Sequence, residues 1–268
     1  MALLFANYGA KVVISDVNLE EARNVANTIN ESGQNAIATS CDVTKWEDQV
    51  SLFELAEETF GSVDIAIPNA GVVSPGRFIE LQVQNGKPLP PDMRAINVNL
   101  IGVLYTISLA LHCMGSEDNQ RLRAIVFVGS MASFMGTGPA VLYDAAKHGV
   151  LGTMRGLRPT CALRGIRLGS VHPWFVDTPI LSESIRQYIA GWPLTPVHRV
   201  AATALCIASR PDNHTSGHPW LLPDDGDVLR VDGADLTEGL YRELNERAQL
   251  LVKTLDAESR RRLDDSQL

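Results

Sequence analysis

Cysteine is scarce. The four present, Cys41, Cys113, Cys161 and Cys206, are far apart and form no C-x-x-C pair. Their spacing argues against a zinc ribbon or a disulfide framework and suits a reducing compartment. Positive charge is also in short supply. With 23 Lys and Arg against 31 Asp and Glu, the chain has a net charge of −8, whereas a phosphate-backbone ligand needs a basic face. The one basic run, Arg260-Arg261-Arg262, is flanked by Glu258, Asp264 and Asp265 and reads as a solvated helix face. No apolar run reaches the roughly 18 residues that a membrane span needs. The opening Met1–Ala6 is too short for a secretory h-region and has no basic flank. Neither nucleic acid nor membrane is an expected partner, and a cytoplasmic location is expected. His172, His198, His214 and His218 show no ligand-like spacing, so no metal is expected. Gly129-Ser130-Met131 lacks the G-x-S-x-G elbow of a serine hydrolase.

What is present is an alternation of strand and helix patterns. Residues 3–5 read as the tail of a helix stopped at Gly9, and Lys11–Asp16 as a buried strand ending in an acid. A helix over 18–32 ends at Gly33, and a strand over 35–41 ends at Asp42. A helix over 46–60 leads to a strand over 63–67, which runs into Asn69-Ala70-Gly71. Beyond a Pro/Gly-rich stretch (74–91), the pattern predicts a helix over 92–114 and a strand over 124–128. A helix over 141–164, a strand over 166–171, a helix over 197–208 and a short strand over 219–222 follow. This order predicts an α/β fold, a doubly wound parallel sheet in three α/β/α layers. One domain is expected over 1–245, with a helical tail over 246–268. Leu236, Leu240, Leu244, Ala248, Leu251 and Leu255 form a stripe that packs on the domain, frays or makes a subunit contact.

In an open parallel sheet, ligands bind beyond the carboxyl ends of the strands. The residues there are Asp16, Asp42, Asn69 to Gly71, Ser130, and Pro173 to Thr178. Tyr143 and Lys147 lie one turn apart on the helix after Ser130, hence on one face. An ammonium beside a phenol favours the tyrosinate and lowers a pKa that is ordinarily about 10. That suits a general acid/base for alcohol oxidation near neutral pH. A Y-x-x-x-K pair alone is usually a surface pair; here every further element falls at a strand end in order.

These residues make the sequence similar to the short-chain dehydrogenase/reductase family over residue 2 to about 245. The matching segments are 9–16, Cys-Asp-Val-Thr (41–44), Asn-Ala-Gly (69–71), Asn-Val-Asn-Leu-Ile-Gly (97–102), Gly-Ser (129–130), Tyr-Asp-Ala-Ala-Lys (143–147) and Pro-Trp-Phe-Val-Asp-Thr (173–178). Residues 87–102 and the ending from Trp220 resemble the hydroxyprostaglandin-dehydrogenase-like branch. The resemblance implies that Tyr143 is the acid/base, that Lys147 lowers its pKa and holds the nicotinamide ribose, and that Ser130 orients the substrate oxygen. It implies that Asn99, with Asn97 as competitor, supports a proton-relay water through a helix distortion. It implies a homodimer or homotetramer. Asp16 would accept bonds from the adenosine ribose hydroxyls and repel a 2′-phosphate, which favours NAD. Val17 follows it in the cofactor set. Asp42 and Val43 would flank the adenine and Asn69, Ala70 and Gly71 pass beneath it; Asp42 also reads as a helix N-cap. Pro173, Val176 and Thr178, with Tyr143 and Lys147, complete that set. Residues 179–196, with Ile180, Leu181, Ile185, Tyr188, Ile189 and Trp192, read as a lid over an apolar pocket. Trp174 stands where the family commonly has Gly. A hydrophobic secondary alcohol or ketone is the expected substrate.

One part of the family pattern is not in the sequence: the opening strand and T-G-x-x-x-G-x-G, whose amides hold the pyrophosphate. By the family's strand order, that strand lies centrally, between those ending at Asp16 and near Pro68. Three expectations stay open: an incomplete sequence of a normal enzyme, a shortened protein with weak or lost NAD binding, or a strand supplied by a partner. A redox-neutral enzyme reusing Tyr143, or a non-catalytic protein, is the alternative function.

Overall fold

The computed structural model describes residues 1–73, 78, 81–115, 121–137, 140–210 and 215–231. The chain divides into two units, Met1–Leu229 and Arg230–Leu268. The boundary expected at 245 and the helical tail lie outside the described residues.

The elements run α1 (Ala2–Asn7), β1 (Val12–Asp16), α2 (Leu19–Glu31), β2 (Ala36–Ser40), α3 (Trp46–Phe60), β3 (Ile65–Ala66), β4 (Val83–Gln84) and β5 (Lys87–Pro88). Next come α4 (Arg94–Ile96), a π turn (Asn97–Ile101), α5 (Gly102–Cys113) and β6 (Arg123–Val128). A 3₁₀ turn (Met131–Ser133), α6 (Val141–Leu163), β7 (Ile166–Pro173), α7 (Glu183–Tyr188), α8 (Val197–Ser209), β8 (His218–Leu222) and β9 (Leu229–Arg230) follow. β3, β6, β7 and β8 pair in parallel in that order, and β1 pairs in parallel with β2. The expected doubly wound arrangement is therefore observed. Its ladder is in two pieces, with no bonding between β1 and β3 among the described residues.

Alternation along β6 shows why both faces carry helices. Ile125 and Phe127 enter a core with α3, α5 and α6, while Ala124 and Val126 enter one with α1 and α8. Gly9 and Gly33, at φ 86° and 78°, end their helices in the left-handed region, as their positions predict. The hairpin β4–β5 lies within the Pro/Gly-rich stretch and is not among the expected strands. Its signal is Asn85-Gly86, with φ 53° and 75°, the two positive values of a type I′ turn.

The continuous helix Arg94–Cys113 has the length and apolarity of a membrane span, contrary to the expectation from apolar runs. Its Val103, Ile107, Leu109 and Ala110 are core residues. Arg123 caps its C-terminal end, donating to the carbonyls of Met114 (2.6 Å) and Gly115 (3.1 Å).

A buried side chain ties this helix to α3. The amide of Gln49, fully inaccessible, donates to the carbonyls of Val43 (2.6 Å) and Gly102 (2.9 Å) and accepts from Thr106 Oγ1 (2.6 Å). Gln49→Leu should destabilise the fold by about 3 kcal/mol, because it removes the side-chain partner of the Val43 carbonyl and of the Thr106 hydroxyl in a buried site. The urea midpoint measures this.

Candidate active site

The site begins where β6 stops. Gly129 N donates to Val171 O (2.8 Å), the last rung of the ladder. Ser130 then turns the chain into the 3₁₀ segment, its Oγ accepting from Ala132 N (3.2 Å) while Ser133 Oγ accepts from Ser130 N (3.3 Å). This reciprocal box sets the local shape of the turn. From α6, Tyr143 brings its phenol close enough to the Ser130 hydroxyl for that group to pull the phenol pKa down. Lys147, one turn on and buried, donates to Val128 O (2.9 Å), and its Nζ lies 5.6 Å from the centre of the Tyr143 ring.

The electrostatics differ from the expectation. Burial pushes the Tyr143 phenol up, the Ser130 hydroxyl pulls it down, and Asp144 pushes it up again, so the net shift is upward. In the free protein burial outweighs any pull from the charge on Lys147. Its own charge is penalised by burial, down to about 8, and its ammonium is committed to Val128 O.

The π turn packs on α6, and Asn99 stands at its centre. It is buried, accepting at Oδ1 from Val72 N (2.8 Å) and donating from Nδ2 to Val72 O (2.8 Å). Asn97 is exposed. A single-turn π segment re-aims side chains and recurs at functional sites. The grip on Val72 explains the neighbouring glycine: a Cβ at Gly71 would sit 3.2 Å from Asn99 Oδ1. Asn69 and Ala70 are exposed beside it.

Asp16 ends β1, exposed, with Oδ1 accepting from Asn18 N (2.9 Å); Val17 is exposed too. Asp42 accepts at Oδ1 from Thr44 N (3.0 Å) and Thr44 Oγ1 (2.7 Å), which hold its carboxyl below the usual range. It shapes the turn before α3, whose N-cap residue is Lys45. Pro173 is buried at the end of β7, Val176 packs partly into the core, and Thr178 donates to Val176 O (3.4 Å).

A family model described as short chain dehydrogenase matches residues 1–188. The chain belongs to this family. It is 34% identical to a cyclohexanol dehydrogenase of Acinetobacter sp. (strain SE19), covering 87% of this chain and 88% of that one. It is 31% identical to a mitochondrial borneol dehydrogenase of Lavandula x intermedia, covering 88% and 87%. The crystal structure of a short-chain type dehydrogenase/reductase from Mycobacterium marinum superposes with a TM-score of 0.72 at 25% identity, over 84% of this chain and 88% of that one. Membership makes the protein an oxidoreductase that uses a nicotinamide cofactor.

The segment after β7 is tied to β8 and to Thr195. Trp174 N donates to Leu222 O (3.0 Å) and to Thr195 Oγ1 (3.2 Å). Its ring stacks on Trp192 (centroids 6.1 Å apart, 6° between planes), with Phe175 edge-on at 4.8 Å. In the expected lid, Leu181 and Ile189 are buried, whereas Ile180, Tyr188 and Trp192 are exposed. Sequence reasoning misses buried Thr195, and it misses His172, which has no metal-like spacing to single it out. Gly129 is the available signal: glycine at a strand end marks a close approach.

Proposed function

We propose that this protein is an NAD-linked dehydrogenase interconverting hydrophobic secondary alcohols and ketones, with Tyr143 as its acid/base. The observation that carries this is buried Lys147 one turn along α6 from Tyr143, its Nζ 5.6 Å from the centre of the Tyr143 ring. The relatives named for cyclohexanol and borneol support the substrate class, as do the exposed aromatic and aliphatic side chains after β7.

The residues present fit the two ends of the dinucleotide. Asp16 has one carboxylate oxygen engaged by its own turn, leaving the other for ribose hydroxyls. Gly71, without a Cβ, keeps the floor clear beside Asn99. Val17, Asp42, Val43, Asn69 and Ala70 would line the adenosine half. Tyr143, Lys147, Pro173, Val176 and Thr178 would line the nicotinamide half. The bound nicotinamide supplies the hydride acceptor or donor. Ser130 would present its hydroxyl to the substrate oxygen, and Tyr143 Oη would take or return the carbinol proton. Lys147 would hold the ribose and counter the tyrosinate. Asn99 would anchor the relay water through the distorted helix. The hydroxyprostaglandin-dehydrogenase-like branch, a cytoplasmic location and a homodimer or homotetramer belong to the same reading.

The test is calorimetric titration with NADH, then cyclohexanol oxidation followed by NADH absorbance. Saturable binding and turnover support the reading. No binding at millimolar NADH would sink it in favour of the redox-neutral or non-catalytic alternative. A second measurement concerns cofactor choice. Asp16→Ser should cut the preference for NAD over NADP at least about tenfold, since it removes both the ribose acceptor and the charge that repels a 2′-phosphate. Titration with both nucleotides reads it directly.

A further inference from the structure

Ser130 is shaped by bonds within its own turn, but such bonds do not say where the turn sits relative to the sheet. That reference comes from β7. His172, fully buried, places Nδ1 3.1 Å from Ser130 O and Nε2 2.7 Å from Ser170 Oγ. A carbonyl oxygen only accepts, so Nδ1 carries the proton, and Nε2 accepts from the Ser170 hydroxyl. Both ring nitrogens are thus engaged, and Phe134 packs edge-on at 4.9 Å. Ser130 O also receives Ser133 N–H (2.9 Å), so both of its acceptor positions are filled. The backbone opposite is cut to match: a Cβ at Gly129 would lie 2.3 Å from His172 Nδ1 and Cε1. The loss of water, with the charged groups Lys147 and Arg155 nearby, keeps the ring neutral, its pKa down to about 3.

We propose that His172 is the positioning residue for Ser130, its Nδ1–H tethering the Ser130 carbonyl to β7 so that the hydroxyl meets Tyr143. The tether itself is independent of the proposed function; its effect on turnover rests on that reading. Gly129 is the second half of the device, since only glycine leaves room for the ring.

Two isosteres separate this from a plain core role. His172→Asn puts an N–H near the Nδ1 position and keeps the tether. His172→Gln reaches the Nε2 position, keeping the Ser170 contact and losing the tether. Amide hydrogen exchange of residues 129–135 in the cofactor-free protein should accelerate about tenfold in His172→Gln and stay near wild type in His172→Asn. With cyclohexanol and NAD, kcat should fall about 100-fold in His172→Gln at little change in KM, because misplacement by about an ångström costs that much. His172→Asn should restore most of it. Gly129→Ala, which leaves His172 in place but displaces its ring, should reproduce the His172→Gln behaviour. Equal exchange in the Asn and Gln variants, or losses of kcat that follow thermal stability alone, would overturn the proposal. If exchange separates the variants while the wild type oxidises no alcohol, the tether stands and the dehydrogenase reading fails.

Discussion

Tyr143→Phe should abolish alcohol oxidation, lowering kcat at least about 1,000-fold, within the range a positioned acid/base contributes. The substitution removes one oxygen from a half-buried ring and leaves the ring's packing in place. The Ser130 hydroxyl keeps its bond from Ala132 N. The cost in stability should therefore stay near 1 kcal/mol. NADH affinity should change little, which distinguishes lost chemistry from lost binding. The pH dependence has a definite sign. In the free protein the phenol is shifted upward, chiefly by burial, so it stays protonated at neutral pH. As a base it must ionise, and kcat/KM for oxidation should climb with pH into the alkaline range; ketone reduction, which needs the protonated phenol, should not. A wild-type oxidation profile flat from pH 6 to 10 would count against Tyr143 as the base.

Lys147→Met should separate activity from stability. Activity should drop about 100-fold or more, because the charge supporting a tyrosinate and the ribose contact both go. Stability should rise at neutral pH. Burial takes the ammonium from its usual 10.5 down to about 8, and at about 1.4 kcal/mol per unit that is a penalty on the order of 3 kcal/mol. Against it stands the hydrogen bond to Val128 O, whose loss costs about 1 kcal/mol. The penalty wins below pH 8, where the folded protein still holds the proton. Between pH 8 and 10.5 the folded state has lost that proton while the unfolded chain keeps it. The wild type therefore gains stability with rising pH across that window. The advantage of Lys147→Met should be about 2 kcal/mol at pH 6, shrink through this window and reverse above it. Urea unfolding at pH 6, 8 and 10 checks the sign; a variant less stable than wild type at pH 6 would refute the buried-charge argument.

The parts of the site that depend on short-range periodicity are legible in the amino-acid sequence. Tyr143 and Lys147 share a face because they are four apart on α6. Asp16 and Ser130 fall at or just beyond the carboxyl ends of parallel strands, the ligand-binding side of such a sheet. Local pattern is not sufficient everywhere, however. The 83–88 hairpin escapes it although Asn85-Gly86 announces the turn, because the surrounding prolines and glycines read as plain loop.

The order of strands and helices and the pairing of Tyr143 with Lys147 thus follow from the chain's local pattern, since both rest on repeats of two and 3.6 residues. Three-dimensional packing alone settles which asparagine turns inward, where the Lys147 charge is spent and what lies under Ser130. Asn99 grips Val72 across 27 residues of chain, Lys147 reaches Val128 across 19, and His172 meets Ser130 across 42. Such separations are set by how sheet and helices pack, and so is the loss of water that raises the Tyr143 pKa and lowers that of Lys147. No periodicity along the chain encodes either.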